Sequence, residues 1–374
     1  MVTAFVPKEV RPGETRVAAT PETVRRLTQG GVSVEVERGA GEGAWIPDAS
    51  FEAAGAKLAG ADAWPRAELV LKVQPPTEEE AARLREGAVL VSFLPPATNE
   101  RLLAALRERG VHALAMDQIP RISRAQSMDA LSSQATIAGY KAVVLGAAHL
   151  AKLCPLLMTA AGTIAPARAV VFGAGVAGLQ AIATARRLGC LVEATDIRRA
   201  AKEQVESLGA RFIDVPGAED METAGGYAKE VGEDFLRRQR EEVAKRVAEA
   251  DLVITTALVP GRPAPKLVSE AMVRSMRPGS VIVDLAVESG GNCELTSPGE
   301  VVVRHGVTLV GTSNLPATVP LHASELYAKN VLNLVKLFVD KEGRMATDFE
   351  DEILAGCLVT REHGRSAAGE ARAT

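Results

Sequence analysis

The sequence predicts an α/β protein built from two mostly parallel sheets. Its 374 residues suggest two or three domains, at roughly 150 residues per domain. Short apolar runs rich in valine and isoleucine alternate with helical runs along almost the whole chain. That alternation is typical of parallel sheets with helices on both faces. A glycine-rich turn near the middle of the chain starts a second series of strands, so the pattern indicates two such sheets.

The first series occupies the N-terminal third of the chain. Its first predicted helix begins at Pro21, with Thr20 as the cap, because proline is favoured at the first helical position. A second helix is predicted over 99–109, where Gly110 ends it. The strands predicted from apolar and β-branched composition are 3–6, 32–36, 69–73 and 89–93.

The second series begins after a long predicted helix over 127–153, and another long helix, 323–339, follows its last strand. Two long helices of this kind commonly carry a chain between domains. We therefore predict a discontinuous first domain, 1–132 with 321–374, and a second domain over 133–320. The tail from residue 362 is expected to fray. The strands of the second series are predicted over 168–172, 191–195, 252–255, 281–284 and 307–310.

Charge and cysteine usage exclude several function classes. Lys and Arg number 43 against 47 Asp and Glu, so the net charge of −4 offers no basic surface for nucleic acid. The four cysteines are far apart and the five histidines are scattered, so no metal site is expected. The longest apolar stretch, 136–166, is interrupted by Lys141, Lys152 and Pro155, so direct membrane insertion is not expected. The N-terminus lacks a signal-peptide pattern, and we expect a cytoplasmic protein.

The glycine-rich turn is a dinucleotide-binding motif in its expected setting. Gly173, Gly175 and Gly178 form GxGxxG after an apolar strand and at the start of a helix. Gly173 would make the tight turn, Gly175 would let the backbone approach a pyrophosphate, and Gly178 would let the helix pack closely on the strand. The helix N-terminus would supply N–H groups to the phosphates. The second domain is therefore predicted to be Rossmann-like.

An acid completes the motif. Asp196 stands at the end of the second strand, 18 residues after Gly178. A carboxylate there would accept the adenosine ribose hydroxyls and repel a 2′-phosphate, which favours NAD(H) over NADP(H). Arg198 and Arg199 follow closely and favour NADP(H) instead, since arginine accommodates a 2′-phosphate. We give the acid more weight because it lies at the strand end itself.

Several long segments together resemble the NAD(H)-binding component of proton-translocating nicotinamide nucleotide transhydrogenase. The resemblance runs from about Val6 to Arg361. The related alanine dehydrogenases share the opening Pro7-Lys8-Glu9 with Arg16-Val17-Ala18. The segments that carry the transhydrogenase resemblance are 120–134, 158–163, 222–230, 256–261 and 284–292.

The resemblance implies two Rossmann-like domains that bind NAD(H) in the cleft between them, in a subunit that is usually a homodimer. It implies hydride transfer to or from NADP(H) held on a separate component, coupled to proton translocation by membrane-spanning subunits. The chain would then lie on the cytoplasmic side, peripheral to the inner membrane through its partners. No membrane helix follows in this sequence, so it resembles the form in which the NAD component is a separate polypeptide.

The same resemblance assigns roles to individual residues. Arg121, Gln126, Asp129 and Ser132 would line the nicotinamide end, and the first three are its candidate catalytic residues. Asp129 and Ser132 would hold the carboxamide, which needs an acceptor and a donor, and Gln126 would reach toward the second nucleotide. Without the resemblance, these polar residues could equally cap the long helix. The remaining candidates are a closing loop at Gly226 and Tyr227, and apolar walls at Val176 and Leu258.

Two alternatives share the predicted fold, so the fold does not choose between them. An alanine-type dehydrogenase needs cations and a proton-transfer group; Arg16 and Lys72 stand at its substrate positions, but Pro95 stands at its histidine and Glu288 at its aspartate. Proline transfers no proton, so this alternative is disfavoured, and Arg16 and Lys72 are expected to be in structural ion pairs, with Glu9 or Glu288 as partners. A non-catalytic NAD sensor would have no need of the 121–132 loop.

Overall fold

The chain forms two compact units, each with its own sheet. The computed structural model describes residues 2–198, 200–214, 233–258 and 262–361. One unit comprises Met1–Gln134 with Ala317–Thr374, and the other comprises Ala135–Pro316. The predicted tail, 362–374, lies outside the described residues. The expected mixed α/β fold with mostly parallel sheets is confirmed.

The sheet of the first unit is six-stranded and wholly parallel, in the order β3-β2-β1-β4-β5-β6. This is the Rossmann order, in which the strand sequence reverses between β1 and β4. Its strands are β1 (Thr3–Val6), β2 (Ser33–Glu37), β3 (Lys57–Ala59), β4 (Leu69–Leu71), β5 (Val89–Ser92) and β6 (His112–Ala115). Its helices are α1 (Pro21–Gln29), α2 (Asp48–Ala53), α3 (Glu78–Arg83), α4 (Glu100–Glu108), α10 (Pro320–Val335) and α11 (Glu352–Cys357).

The second unit repeats that order as β11-β10-β9-β12-β13-β15, with β14 added antiparallel at the edge. Helix α5 (Ala130–His149) starts in the first unit and continues into the second. A separate hairpin consists of β7 (Leu157–Thr159) and β8 (Gly162–Ile164). The remaining strands are β9 (Arg168–Phe172), β10 (Leu191–Thr195), β11 (Arg211–Phe212), β12 (Leu252–Thr255), β13 (Val281–Asp284), β14 (Val301–Arg304) and β15 (Val307–Val310). The remaining helices are α6 (Val176–Arg187), α7 (Ala201–Ser207), α8 (Glu233–Glu249) and α9 (Glu270–Ser275).

Alternation along the strands builds the cores. In β4, Leu69 and Leu71 join one apolar cluster while Val70 joins another, because successive side chains of a strand point to opposite faces. In β9, Val171 and Val170 divide between two further clusters in the same way. Both sheets are therefore covered on both faces, which is why their strands read as continuous apolar runs.

The predicted strand limits of the second series are confirmed to the residue, whereas the helix limits shift. The long helix begins at Ala130 rather than at residue 127, because Ser123–Met128 forms a 3₁₀ turn. The C-terminal helix begins at Pro320, three residues before its predicted start, since proline suits the first helical position. The sequence did not predict the β7–β8 hairpin, the antiparallel β14, or the short strands β3, β6 and β11. Among the described residues, none of the helices has the length and apolar character needed to cross a bilayer.

Candidate functional site

The glycine turn of the second unit has the geometry that its motif predicts. Gly173 directly follows β9 and has φ +93°, a backbone conformation that residues with a side chain rarely adopt. A Cβ there would meet Thr256 Oγ1 at 2.6 Å. The turn is tied into the sheet because the Gly173 N–H donates to the Thr195 carbonyl at 2.8 Å. Gly173 therefore carries both the backbone reversal and the close contact with the next strand.

The other two glycines divide packing and ligand access between them. A Cβ on Gly178 would overlap the Gly173 carbonyl oxygen, so α6 lies too close to the turn for any side chain. A Cβ on Gly175 would meet nothing within 4 Å, and Gly175 is exposed as the N-cap of α6. The backbone at Gly175 is thus open to an approaching group, as a pyrophosphate site requires. Gly139 of α5 approaches the Ala177 carbonyl so closely that it too must be glycine.

Asp196 is held beside this turn by backbone donors. Its Oδ2 accepts from Ala174 N–H at 2.7 Å, and its Oδ1 accepts from Arg198 N–H at 2.8 Å. The Arg198 guanidinium also donates to both oxygens, at 3.0 and 3.1 Å. Burial would raise the pKa of Asp196, but the donors from Arg198 and Ala174 outweigh it, and the pKa is lowered. Asp196 is therefore an oriented carboxylate. The sequence suggested that Asp196 and Arg198 favour different nucleotides, whereas in the structure the two side chains form an ion pair.

Apolar side chains stand exposed around the turn. Val176 is 43% exposed and Leu258 is 54% exposed. Ile197, which directly follows Asp196, is 94% exposed. Large aliphatic groups are rarely exposed together near a polar turn without a ligand or partner to cover them. Ile197 was not predicted from the sequence, although its place directly after Asp196 was the available signal.

Two polar residues that the sequence analysis passed over hold the end of β12. Thr256 Oγ1 donates to the Phe172 carbonyl at 3.0 Å, which joins the ends of β12 and β9. Asn292 is fully buried, and its side chain bonds Ala257 in both directions, accepting at 3.0 Å and donating at 2.9 Å. Both lie within segments that carry the resemblance, so their position in a motif was the only signal. They fix the backbone next to Leu258.

The nicotinamide-end candidates lie in the first unit, on one continuous segment. Arg121 and Gln126 are exposed, and Asp129 and Ser132 are half-buried. Asp129 Oδ1 accepts from Ser132 N–H at 2.9 Å, and its Oδ2 accepts from Ser132 Oγ at 2.5 Å. Asp129 therefore caps the start of α5 and binds Ser132 at the same time. The structure brings Asp129 and Ser132 together, and it leaves Arg121 and Gln126 directed to the surface.

The buried cations of the first unit are paired with carboxylates near the ends of β1 and β4. Lys72 is 1% exposed and lies 3.2 Å from Glu9 Oε2 and 3.1 Å from Glu80 Oε1. Arg16 binds Glu14 through two nitrogens, at 2.6 and 2.8 Å. Glu9, one of the two partners expected from the sequence, thus pairs with Lys72.

Glu288 was the other expected partner. It is an exposed residue of the second unit and accepts from Asn314 N–H at 3.2 Å. Pro95 is also exposed, and its carbonyl accepts from the Asn99 amide at 2.8 Å. Pro95 supplies no proton-transfer group to the first unit, because its side chain carries neither a donor nor an acceptor.

Burial and pairing move the pKa values of the two carboxylates in opposite directions. Burial would raise the pKa of Glu14, but hydrogen bonds and charge from Arg16, with help from Gln74, lower it to about 2. Burial raises the pKa of Glu9, and the nearby Lys72 charge offsets this only in part. Glu14 is consequently held as a carboxylate, whereas Glu9 gives up its proton less readily than an ordinary glutamate does.

Some predicted residues lie outside the described part of the chain. These are Arg199, the loop 222–230 with Gly226 and Tyr227, and the end of the 256–261 segment. Within the described ranges, no group of three or more His, Cys, Asp or Glu side chains could hold a metal ion. The four cysteines are free and buried. Burial raises the pKa of Cys190 to about 12, with Cys154 contributing.

Comparison with known proteins assigns the chain to a family. The N-terminal domain of alanine dehydrogenase/PNT matches residues 5–138, and the C-terminal domain of alanine dehydrogenase/PNT matches residues 142–366. The chain belongs to the alanine dehydrogenase/PNT family. The two matches meet within α5, the helix that passes from one unit to the other.

Within this family the chain is more similar to transhydrogenase subunits than to alanine dehydrogenases. It is 54% identical to an NAD(P) transhydrogenase subunit alpha polypeptide of Rhodospirillum rubrum, over 96% of each chain. The transhydrogenase structure from Sinorhizobium meliloti has a TM-score of 0.88 at 46% identity and covers 95% of this chain and 97% of that chain. The alanine dehydrogenase of Halomonas elongata is 35% identical, over 95% of this chain and 92% of the relative. The chain is therefore a homologue of transhydrogenase alpha subunits.

Proposed function

We propose that this chain is the NAD(H)-binding subunit of a proton-translocating transhydrogenase. In this proposal it exchanges hydride with NADP(H) held on a partner component, and membrane-spanning subunits couple that exchange to proton movement. The chain then works on the cytoplasmic side, attached to the membrane through its partners. The observation that carries the proposal is an open dinucleotide turn in a chain that is 54% identical to a transhydrogenase alpha subunit.

The dinucleotide fits the residues that are present. Gly175 leaves open space beside the backbone, and the N-terminus of α6 offers its N–H groups to phosphate oxygens. Asp196 is oriented by the N–H groups of Ala174 and Arg198, so it can accept ribose hydroxyls once the exposed Arg198 guanidinium turns away. Val176, Ile197 and Leu258 offer exposed apolar surface to the rings.

Hydride transfer between two nicotinamides requires that the two rings be positioned and that water be excluded. It requires no general acid or base. When bound, the nicotinamide of NADH supplies the hydride. The chain's own residues then bind the carboxamide through Asp129 and Ser132, and Gln126 reaches toward the second nucleotide. Arg121 adds a positive charge at this end. An exposed Pro95 and internally paired Arg16 and Lys72 favour this chemistry over that of an amino-acid dehydrogenase, which needs a proton-transfer group.

Stopped-flow hydride transfer from NADH to an NADP analogue tests the proposal. The purified chain is measured alone, then with an NADP(H)-binding component, while alanine with NAD is assayed in parallel. We expect transfer only in the mixture, and a decrease of about tenfold or more in Gln126→Asn and Asp129→Asn, because misplaced reactants react much more slowly. Gln118→Asn makes the same chemical change on an exposed residue outside this segment and should have no effect. Alanine oxidation by the chain alone would contradict the proposal.

We also propose that the subunit is a homodimer, and the β7–β8 hairpin supports this. Every residue from 155 to 165 is exposed, including Leu157 at 41% and Met158 at 75%. An isolated two-stranded hairpin is marginally stable in water, so apolar residues on it need another surface. A second copy of the chain is the partner that the resemblance implies.

Sedimentation of a charged hairpin variant tests the dimer. Met158→Asp should shift the chain from dimer to monomer, because the new charge would be buried without a partner. Val303→Asp is the matched control, since Val303 is an exposed valine on the edge strand β14 of the same unit. A wild-type chain that sediments as a monomer, or a Met158→Asp variant that stays dimeric, would contradict this proposal.

A further inference from the structure

The C-terminal return of the chain into the first unit contacts the segment that carries the nicotinamide-end candidates. Arg124 and Asp351 form a two-point ion pair at 2.7 and 3.1 Å. Asp351 also caps α11 by accepting from Ile353 N–H at 2.9 Å. Further along, Gln134 donates to the Ala323 carbonyl at 3.0 Å. The C-terminal segment therefore holds residues 121–132, here called the 121–132 loop, at Arg124 within it and at Gln134 just beyond it.

Two side-chain amides on one face of α10 make a further contact with the 121–132 loop. Asn330 Nδ2 donates to the Ser127 carbonyl at 2.9 Å, and Asn333 Nδ2 donates to the same oxygen at 3.2 Å. Residues three apart on a helix are neighbours, so both side chains reach one acceptor. Asn330 is 6% exposed, and its Oδ1 accepts no hydrogen bond from the described residues. The contribution of Asn330 here is therefore as a donor.

The Ser127 carbonyl is the group in the loop that requires a hydrogen-bond donor from elsewhere in the chain. It lies in the 3₁₀ turn Ser123–Met128, which ends immediately before Asp129. Carbonyls at the end of such a turn have no partner inside it. The Gln126 carbonyl is taken by Asp129 N–H at 3.3 Å, and the Ser127 carbonyl is taken by the two amides. Together these bonds set the backbone from Gln126 to Asp129.

We infer that Asn330 and Asn333 are positioning residues for hydride transfer, whose amides hold the Ser127 carbonyl and thereby fix Gln126 and Asp129. This inference rests on the proposed function. The fold does not depend on these amides alone, because Ala125 and Met128 are buried in the core of the first unit. Loss of the amide donors should therefore leave the segment attached but allow the 121–132 loop to shift.

Replacement of the amides by isosteric carboxylates removes the donors and keeps the shape. The variants are Asn330→Asp, Asn333→Asp and the double variant, and Asn333→Gln keeps an amide donor as the conservative rescue. The control is Lys329→Gln on the same helix, which changes the charge by the same amount as each single variant and removes only an exposed ion pair with Glu22. Three quantities are measured: the single-turnover rate of hydride transfer, the dissociation constant of NADH, and hydrogen–deuterium exchange over residues 122–129.

We expect the double variant to lose about tenfold or more in the transfer rate, because small misplacements of reacting groups are costly. Its NADH dissociation constant should stay within about threefold, since each neutral hydrogen bond contributes little to overall stability. Exchange over 122–129 should be faster, Asn333→Gln should recover most of the rate, and Lys329→Gln should match the wild type. A parallel loss of rate and NADH affinity, without faster exchange, would overturn the inference.

The outcomes separate this inference from the function on which it rests. A wild-type chain that transfers no hydride overturns the proposed function. Unchanged exchange over 122–129 in the double variant overturns the positioning role by itself, whatever the activity. If the double variant does not fold, Asn333→Asp decides, because Asn333 is only partly buried and its bond lies at the surface.

Discussion

The first unit and the second unit arrange six strands in the same order but end their central strands differently. In the first unit, β4 is followed directly by Lys72, and β1 is followed three residues later by Glu9. These charges are buried and bound to each other. In the second unit, β9 is followed by Gly173 and β12 by Thr256, and the turn opens at Gly175. One edge is occupied by the protein's own side chains, and the other presents backbone.

This difference shows that the strand order provides a place for a ligand, while the residues at the strand ends decide whether a ligand can use it. Glycine leaves N–H groups accessible at the N-terminus of α6. A buried lysine between two carboxylates leaves little accessible charge. Substitutions at four positions test this contrast, and their expected effects on stability decrease in order.

Gly178→Ala should have the largest effect. The added methyl group would overlap the Gly173 carbonyl, so α6 or the turn must move. We expect a loss of at least about 4–5 kcal/mol in the free energy of unfolding, the range reached when backbone must be displaced. Urea unfolding followed by circular dichroism measures it. A loss below about 1 kcal/mol, the ordinary effect of a surface change, would contradict the close packing.

Lys72→Met should come next, because it leaves Glu9 and Glu80 without their shared cation. Breaking a buried ion pair on one side costs about 3–5 kcal/mol. The double variant Lys72→Met with Glu9→Gln should recover part of this loss, since the amide removes one unpaired charge. Urea unfolding of the single and double variants gives the coupling. If the losses of Lys72→Met and Glu9→Gln simply add in the double variant, Lys72 and Glu9 do not interact.

Glu14 should make stability depend on pH on the acid side. Its pKa is about 2 in the folded chain against an ordinary value of 4.5, so its contribution is complete above 4.5 and is lost as the pH falls toward 2. A shift of this size corresponds to about 3 kcal/mol. The stability difference between wild type and Glu14→Gln should therefore be largest near neutral pH and narrow below 4.5. Urea unfolding across this range measures it, and a constant difference would contradict the pairing with Arg16.

Gly175→Ala should have the smallest effect on stability and a clear effect on binding. Its φ is −77° and its Cβ would meet nothing within 4 Å, so the free energy of unfolding should change little. The methyl group would occupy the space that a pyrophosphate needs, and we expect NADH affinity to decrease by about tenfold or more. Fluorescence titration with NADH measures this. Unchanged affinity would mean that the dinucleotide does not approach at Gly175.

Much of the fold and the geometry of the glycine turn could be predicted because they depend on nearby residues. The strands 168–172 and 281–284 are apolar runs bounded by turns, and their limits were predicted to the residue. The capping of α1 by Thr20 and Pro21 also depends on neighbours in sequence. The pairing of Asp196 with Arg198 was not predicted, because two residues of opposite charge next to a turn can each point to solvent or to each other.

The sequence by itself determined the two mostly parallel sheets, the glycine turn with its acid, and the family, since each depends on patterns within a few residues or on long motifs. Only the tertiary structure decided which carboxylates neutralise Lys72 and Arg16, and which side chains hold the 121–132 loop. Ser127 and Asn330 are 203 positions apart, and Lys72 and Glu9 lie on the ends of different strands. Local periodicity places each residue on a face, but only the packing of distant elements brings a donor to its acceptor.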